Sequence, residues 1–283
     1  MKKNILILGS SGQIGNHLKE YLNKKKYKVL EFDLERSKEE DLRISNNKVL
    51  IQKIKRSDFI FFLAFDVGGS RYLKKYQNTF EFISNNTKLM ENTFSLIKKY
   101  NKPFLFASSQ MSNMVYSPYG LLKNIGEKYS EALGGLSVKF WNVYGIEKNL
   151  QKSHVITDFI LMALKQKKIN MLTSGKEKRD FLFAEDCCEG LEKIYLNYNK
   201  IRKLKKSIDL TTGKYTSIKE IAKIIKKILK NKNINIKIYA SKIKDTVQKD
   251  KRNNPNMFLK KYWKPKYSLD SGINKIINYY VKK

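Results

Sequence analysis

An α/β fold built on a doubly wound parallel sheet is predicted by three observations. The apolar run Ile5-Leu6-Ile7-Leu8 leads straight into the glycine-rich turn Gly9-Ser10-Ser11-Gly12-Gln13-Ile14-Gly15, and a helical pattern follows it. Strand-length apolar runs and helical patterns alternate through the first half of the chain, as strands and right-handed crossover helices do in a parallel sheet. Phe59 to Ala64 is apolar without interruption, as expected of a central strand covered on both faces.

Taken in order, residues 5–9 read as a buried strand, 12–24 as a helix and 28–33 as a second strand ending at Asp33. Residues 83–100 carry Ile83, Met90, Phe94 and Ile97 at helical spacing, and Pro103 then opens a strand over Phe104-Leu105-Phe106-Ala107. A helix bearing Tyr119 and Lys123 precedes the strand from Leu136 to Trp141. Beyond about residue 145 the pattern is mixed: helix at 155–167, strand at 178–183, helix from 185, strand at 207–210, basic helix at 217–230 and a closing helix at 269–281. The alternation of Ile234, Ile236 and Ile238 predicts an exposed strand. The expected architecture is a Rossmann-type sheet with a smaller C-terminal α/β substrate lid over the carboxyl ends of the strands, where open sheets bind ligands. The dinucleotide-binding domain is placed at 1–145, with 185–215 returning to it, and the lid at 146–184 and 216–283.

At 283 residues the chain is long enough to bury a large core, and 41% apolar content fits a globular protein. A net charge of +32 invites a nucleic-acid or membrane reading. The lysines are spread along the whole chain among abundant Asn and Ile, however, which favours a solvated surface that attracts anionic substrates. Neither a nucleic-acid nor a membrane partner is expected. The apolar stretch after Met1-Lys2-Lys3 is too short for a signal peptide, and Phe59 to Phe65 is too short to span a bilayer. Cys187 and Cys188 are adjacent, so no disulfide framework exists; they read as small buried apolar residues in a protein of the reducing cytoplasm. No Cys/His spacing suggests a metal.

The glycine turn carries the first functional signal. Gly9, Gly12 and Gly15 permit a tight turn, close approach of a pyrophosphate and close helix packing, with the helix N-terminus supplying a favourable dipole. Asp33, 18 residues beyond Gly15, is placed to hold adenosine ribose hydroxyls and to repel a 2′-phosphate, which favours NAD; Arg36 keeps NADP open. Tyr119 and Lys123, four apart on a helix, share a face, and a cation beside a phenol lowers its pKa toward the working range. That spacing occurs on many helices. Ser108 and Ser109 after the fourth strand strengthen it, with Ser109 the preferred partner of a reacting oxygen.

These residues resemble the extended short-chain dehydrogenases/reductases that act on nucleotide sugars. The resemblance runs nearly end to end through Asp41-Leu42, Leu63-Ala64, Ser109/Tyr119/Lys123, Asn142-Val143-Tyr144-Gly145, Arg179-Asp180-Phe181 with Asp186, and Trp263-Lys264-Pro265 followed by Leu269 and Gly272. It implies an adenine contact at Asp41 and Leu42, cofactor packing at Leu63 and Ala64, and further cofactor contacts from Ser11, Gln13 and Ile14. It implies substrate contacts at Asn142, Arg179 and, on a looser match, Arg252, and a homodimer formed through two long helices. Ala64-Phe65-Asp66-Val67-Gly68-Gly69, Asn85-Asn86-Thr87 and Ser153-His154-Val155-Ile156 are similar to the GDP-sugar branch of GDP-mannose 3,5-epimerase and GDP-fucose synthase. A GDP-sugar is the preferred substrate and a UDP-sugar the next.

Departures from that pattern narrow the chemistry. The epimerising cysteine of that branch is here Met111, whose thioether cannot take a proton from carbon, and the Asp-Glu pair of the 4,6-dehydratases is Gln110-Met111. What remains is NAD-dependent oxidoreduction at C4, as a 4-epimerase or C4 dehydrogenase of bacterial-type surface polysaccharide precursor synthesis, with an NADP-dependent 4-keto reductase as the alternative. A binding protein for RNA or a partner on the same scaffold is the alternative of another class. His154 has two readings: a residue that caps or packs against the following helix, or a sugar-facing donor or acid.

Overall fold

The computed structural model describes residues 3–243 and 254–282. The chain begins with β1 (Asn4–Leu8), α1 (Gln13–Lys24), β2 (Lys28–Phe32), α2 (Lys48–Arg56), β3 (Phe59–Phe62), α3 (Ser70–Tyr76), α4 (Phe80–Tyr100), β4 (Phe104–Ser109), α5 (Pro118–Ala132) and β5 (Leu136–Phe140). It continues through β6 (Asn142–Tyr144), α6 (Val155–Gln166), β7 (Lys168–Met171), β8 (Lys178–Phe183), α7 (Ala184–Leu196), α8 (Tyr198–Leu204) and β9 (Ser207–Leu210). It ends with β10 (Tyr215–Ser217), α9 (Ile218–Lys230), β11 (Lys237–Ala240) and α10 (Leu269–Val281).

A six-stranded sheet in the order β2-β1-β3-β4-β5-β9 forms the centre, parallel at every pairing. Alternation along the strands sends side chains to two separate cores. Ile5, Ile7, Phe59, Phe61 and Leu105 meet Leu18 and Leu22 of α1 and Leu191 and Ile194 of α7 on one face. Leu6, Leu8, Ile60, Phe62 and Phe106 meet Leu50 and Ile54 of α2, Phe82, Met90 and Phe94 of α4 and Leu122 of α5 on the other. The doubly wound prediction is therefore met. Because β1 lies between β2 and β3, successive crossovers diverge there and open a crevice at the carboxyl ends of those strands.

Local chemistry explains the boundaries. Gly9 leaves β1 at φ +89°, so the strand stops at Leu8 and not at residue 9, and Gly12 is the N-cap of α1. Thr79 caps α4 by accepting from Phe82 N–H, which starts the helix at Phe80, before the expected residue 83. Ser108 and Ser109 are the last two residues of β4, not residues beyond it. Ser217 and Glu220 form a reciprocal capping box at the start of α9. A third core joins Tyr144, Phe159, Ile160, Phe181, Ile221, Ile225, Ile273 and Ile277, drawn from β6, α6, β8, α9 and α10. The expected strand around 234–238 forms only from Lys237, paired in parallel with β7; Ile236 before it is buried. Cys187 and Cys188 are buried free thiols.

Candidate active site

The crevice is a cavity of about 1090 Å³ that runs from the glycine turn past the end of β4 to the segment after β6. Gly9, Ser11, Gly12, Gln13, Ile14, Gly15, Asp33, Asp41, Leu42, Leu63, Ala64, Tyr119 and Lys123 all line it, as do Ser109, Asn142 and His154. Two glycines are sterically required at its head. A Cβ on Gly9 would lie 2.6 Å from the backbone N of Ala64, and one on Gly15 would lie 1.9 Å from the carbonyl oxygen of Gly9. Gly12 gives α1 no side-chain cap, so the first N–H groups of the helix remain for an anion. The donor set and the shape thus fit a dinucleotide diphosphate.

Asp33 stands at the end of β2 and accepts hydrogen bonds from Ser11 N–H at 2.8 Å and Glu35 N–H at 2.9 Å. Its backbone N–H donates to Glu40 at 2.9 Å. Glu40, absent from the expectations, is buried and also receives Arg36 at 3.3 Å and Lys53 at 2.5 Å. Burial alone would raise the Glu40 pKa; these partners outweigh it and the net direction is down. Arg36 is further tied to Glu31 at 2.8 Å. The cation that could have welcomed a 2′-phosphate is therefore paired with two carboxylates. Asp41 forms a forked pair with Arg43, with contacts of 2.7 to 3.1 Å that hold its carboxyl below the usual range.

On the other wall, Ser117 caps α5 and Pro118 sits in its first turn, which starts the helix just before Tyr119. Burial pushes the Tyr119 phenol up to about 12, with the neighbouring Ser109 hydroxyl pulling in the opposite direction. Lys123 is buried, and desolvation lowers its pKa to about 7 despite the charge of Glu127. Its Nζ donates to the Ala107 carbonyl at 2.6 Å and lies 3.6 Å from the centre of the Phe65 ring, against 5.9 Å for Tyr119. The expectation that Lys123 lowers the phenol pKa is not met in this geometry, because the ammonium faces Ala107 and Phe65. Ser108 donates to Glu127, which also pairs with Lys139 at 3.3 Å, so Ser108 is committed elsewhere and Ser109 faces the phenol.

The segment after β6 completes the cleft. Asn142 donates to the Asp180 carbonyl at 3.1 Å. His154 is the backbone N-cap of α6 but makes no side-chain cap. Its Nδ1 instead lies 2.6 Å from Glu147, whose other oxygen accepts the His154 N–H at 3.0 Å. Desolvation lowers the His154 pKa, Glu147 raises it, and the net direction is up. Asp66, read from the sequence only as part of a motif, lines the cleft and accepts from Tyr72 at 2.6 Å and from Lys152 at 3.1 Å; Arg71, which sequence reasoning missed, pairs with Asp158 at 2.8 Å. Arg179 does not line the cleft. It is buried in β8, the middle strand of the three-stranded sheet β10-β8-β6, and donates to the Lys178 carbonyl. Arg252 lies outside the described residues. Among the described residues no group of three or more His, Cys, Asp or Glu is placed to hold a metal ion, and no helix is long and apolar enough to cross a membrane.

A parallel sheet with a glycine turn at its switch point and a Tyr-Lys helix on the facing wall defines a nucleotide-binding α/β protein of the oxidoreductase type. The chain belongs to the NAD dependent epimerase/dehydratase family, whose sequence profile matches residues 5–208. It is similar to UDP-glucuronic acid decarboxylase 1 of Xenopus tropicalis, 24% identical over 99% of this chain and 73% of that protein. It is also similar to GDP-L-colitose synthase of Yersinia pseudotuberculosis, 24% identical over 98% of this chain and 97% of that protein. In fold it resembles the epimerase Mth375 of Methanothermobacter thermautotrophicus, with a TM-score of 0.84, 19% identity and coverage of 99% of this chain and 93% of the other. The Bordetella bronchiseptica enzyme WbmF in complex with NADH gives a TM-score of 0.79 at 20% identity, over 99% of this chain and 92% of the other.

Proposed function

We propose that the protein carries out NAD-dependent oxidoreduction at C4 of a nucleotide-activated sugar, as a 4-epimerase or C4 dehydrogenase. The observation that supports this most is the grouping of Ser109, Tyr119 and Lys123 on one wall of a cleft whose head is the glycine turn. The bound nicotinamide supplies or accepts hydride. Tyr119 takes the C4 hydroxyl proton in oxidation and returns it in reduction, and Ser109 orients that oxygen. A phenol at about 12 needs help to ionise, and a positive charge entering the pocket supplies it. Lys123 holds the nicotinamide ribose. Asp33, fixed by Ser11, takes the adenosine ribose, and its charge together with the pairing of Arg36 favours NAD over NADP.

Gln110 and Met111 line the cleft where a dehydratase would need its acidic pair and a two-base epimerase its cysteine, which leaves hydride and one proton as the chemistry. Residues 146–184 and 216–283 act as the lid over domain 1–145. Phe80, Ile83, Leu121 and Ile125 are exposed on α4 and α5, and this apolar face makes a homodimer. The setting is cytoplasmic synthesis of surface polysaccharide precursors, with a GDP-sugar preferred and a UDP-sugar next.

The test is a panel of GDP-mannose, UDP-glucose, UDP-glucuronate and CDP- and dTDP-glucose, with products followed by NMR and NADH by absorbance. UDP-glucuronate is included because the similar Xenopus protein is named for it. A C4 epimer without net NADH identifies the epimerase, and stoichiometric NADH the dehydrogenase. Absence of turnover with every sugar, together with salt-removable RNA on the purified protein, would instead favour the binding-protein reading.

A further inference from the structure

The carboxylate of Glu147 is buried, with its side chain 5% exposed, while the imidazole it touches is 40% exposed and lines the cleft. A buried carboxylate needs partners, and this one has the His154 ring, the His154 N–H and a hydrogen bond from Thr157. Its backbone is clamped by Tyr280 of α10, which accepts from Glu147 N–H at 3.3 Å and donates to the Glu147 carbonyl at 3.0 Å. The preceding residue is clamped too, because the Ile146 carbonyl lies 3.0 Å from the ring of His17 on α1. A loop held this firmly by two helices gives Glu147 one position. Nothing in the proton chemistry at C4 uses it.

We infer that Glu147 is a positioning residue: it fixes His154 with the proton on Nδ1 and presents the other ring nitrogen, as a charged donor, to an oxygen of the sugar nucleotide. An ionised carboxylate only accepts, so the nitrogen facing it carries hydrogen, and the remaining nitrogen is the one left for the cleft. This rests on the nucleotide-sugar reading for its substrate, but the positioning of the ring does not. The other charges around the imidazole are accounted for. Asp158 on α6 is held by Arg71 of α3 and by Ser153, and Lys152 is held by Asp66 after β3. The charge of Asp158 adds to the retention of the proton on His154, after the contact with Glu147.

The chain has two histidines, so their ring protons can be titrated by NMR and assigned with His17→Gln. His154 is expected to titrate above the ordinary histidine range and His17, whose pKa burial lowers, below it. Glu147→Gln should drop the His154 midpoint by about 1 to 3 pH units, Asp158→Asn by less, and Glu147→Asp should restore much of the loss. UDP-glucose, UDP-glucuronate and GDP-mannose are then added in turn. The one that turns over should move the His154 signal and leave His17 in place, and the pH at which kcat/KM falls should follow the NMR midpoint in each variant. An unchanged His154 midpoint in Glu147→Gln overturns the inference even if no sugar nucleotide is a substrate. A His154 signal that ignores a sugar nucleotide that is turned over also overturns it, without touching the C4 reading.

Discussion

Lys123 offers a test in which stability and activity move apart. It is 3% exposed, and burial places its pKa at about 7 in the fold against 10.5 in the open chain. Between those two values the unfolded chain binds the proton that the native state lacks, so the group adds stability as pH rises through the window. One proton corresponds to about 1.4 kcal/mol per pH unit, which gives roughly 2.5 kcal/mol between about pH 7.5 and about pH 9.5 once partial titration at both ends is allowed for. Lys123→Met keeps the volume and removes the titration. It leaves the Ala107 carbonyl without its donor, a loss of about 1 kcal/mol that does not change with pH. Urea denaturation of both proteins at the two pH values isolates the term, because every other ionisable group cancels in the double difference. The wild type should gain roughly 2.5 kcal/mol more than the variant on going to the higher pH, while the variant loses turnover. Equal pH dependence would mean that the Phe65 ring face and the Ala107 carbonyl hold the ammonium charged, and the desolvation argument would be wrong.

Three further outcomes follow from the same geometry. Tyr119→Phe should lower kcat by about 10²- to 10⁴-fold while NADH affinity, read by fluorescence titration, stays near that of the wild type. Gly15→Ala must drive the start of α1 about 1 Å away from the Gly9 carbonyl; NADH affinity should fall at least about tenfold, because diphosphate recognition depends on that approach, and wild-type affinity would show that the turn relaxes freely. Ile125→Glu on the exposed face of α5 should convert a dimer into a monomer in sedimentation velocity, with circular dichroism unchanged.

The central sheet was legible because parallel strands buried on both faces must be apolar without interruption, and β1 after Asn4, β3 and the first half of β4 are. Helices α2 and α3 were not legible. They have 9 and 7 residues, and only Leu50 and Ile54 in one and Leu73 in the other are buried, too few to establish a period. The Asn47 cap on Leu50 N–H was the one local signal available for α2. Strands β6 and β10 have three residues each, shorter than any alternation can reveal. The alternation at Ile234, Ile236 and Ile238 was real, but it mixes a segment that packs into the third core with a short edge strand.

The site divides along the same physical line. Gly9 and Gly15 could be read because their requirement is steric and local: the clash of a Cβ with backbone six residues away, or across one strand pairing, follows from the turn itself. The proton affinity of Lys123 could not be read, because it depends on Phe65 arriving from the end of β3 and on Ala107 of the neighbouring strand β4. The Glu147–His154 pair lay further out of reach. Its partners stand seven residues apart across a corner between a strand and a helix, where neither the 3.6-residue nor the 2-residue period places side chains together. The Glu147 side of the contact is held by His17 and Tyr280, residues from opposite ends of the chain that grip Ile146 and Glu147. The charge state of the cleft is therefore set by tertiary packing. The same motif on a differently anchored loop would offer a neutral imidazole to its substrate in place of a cation.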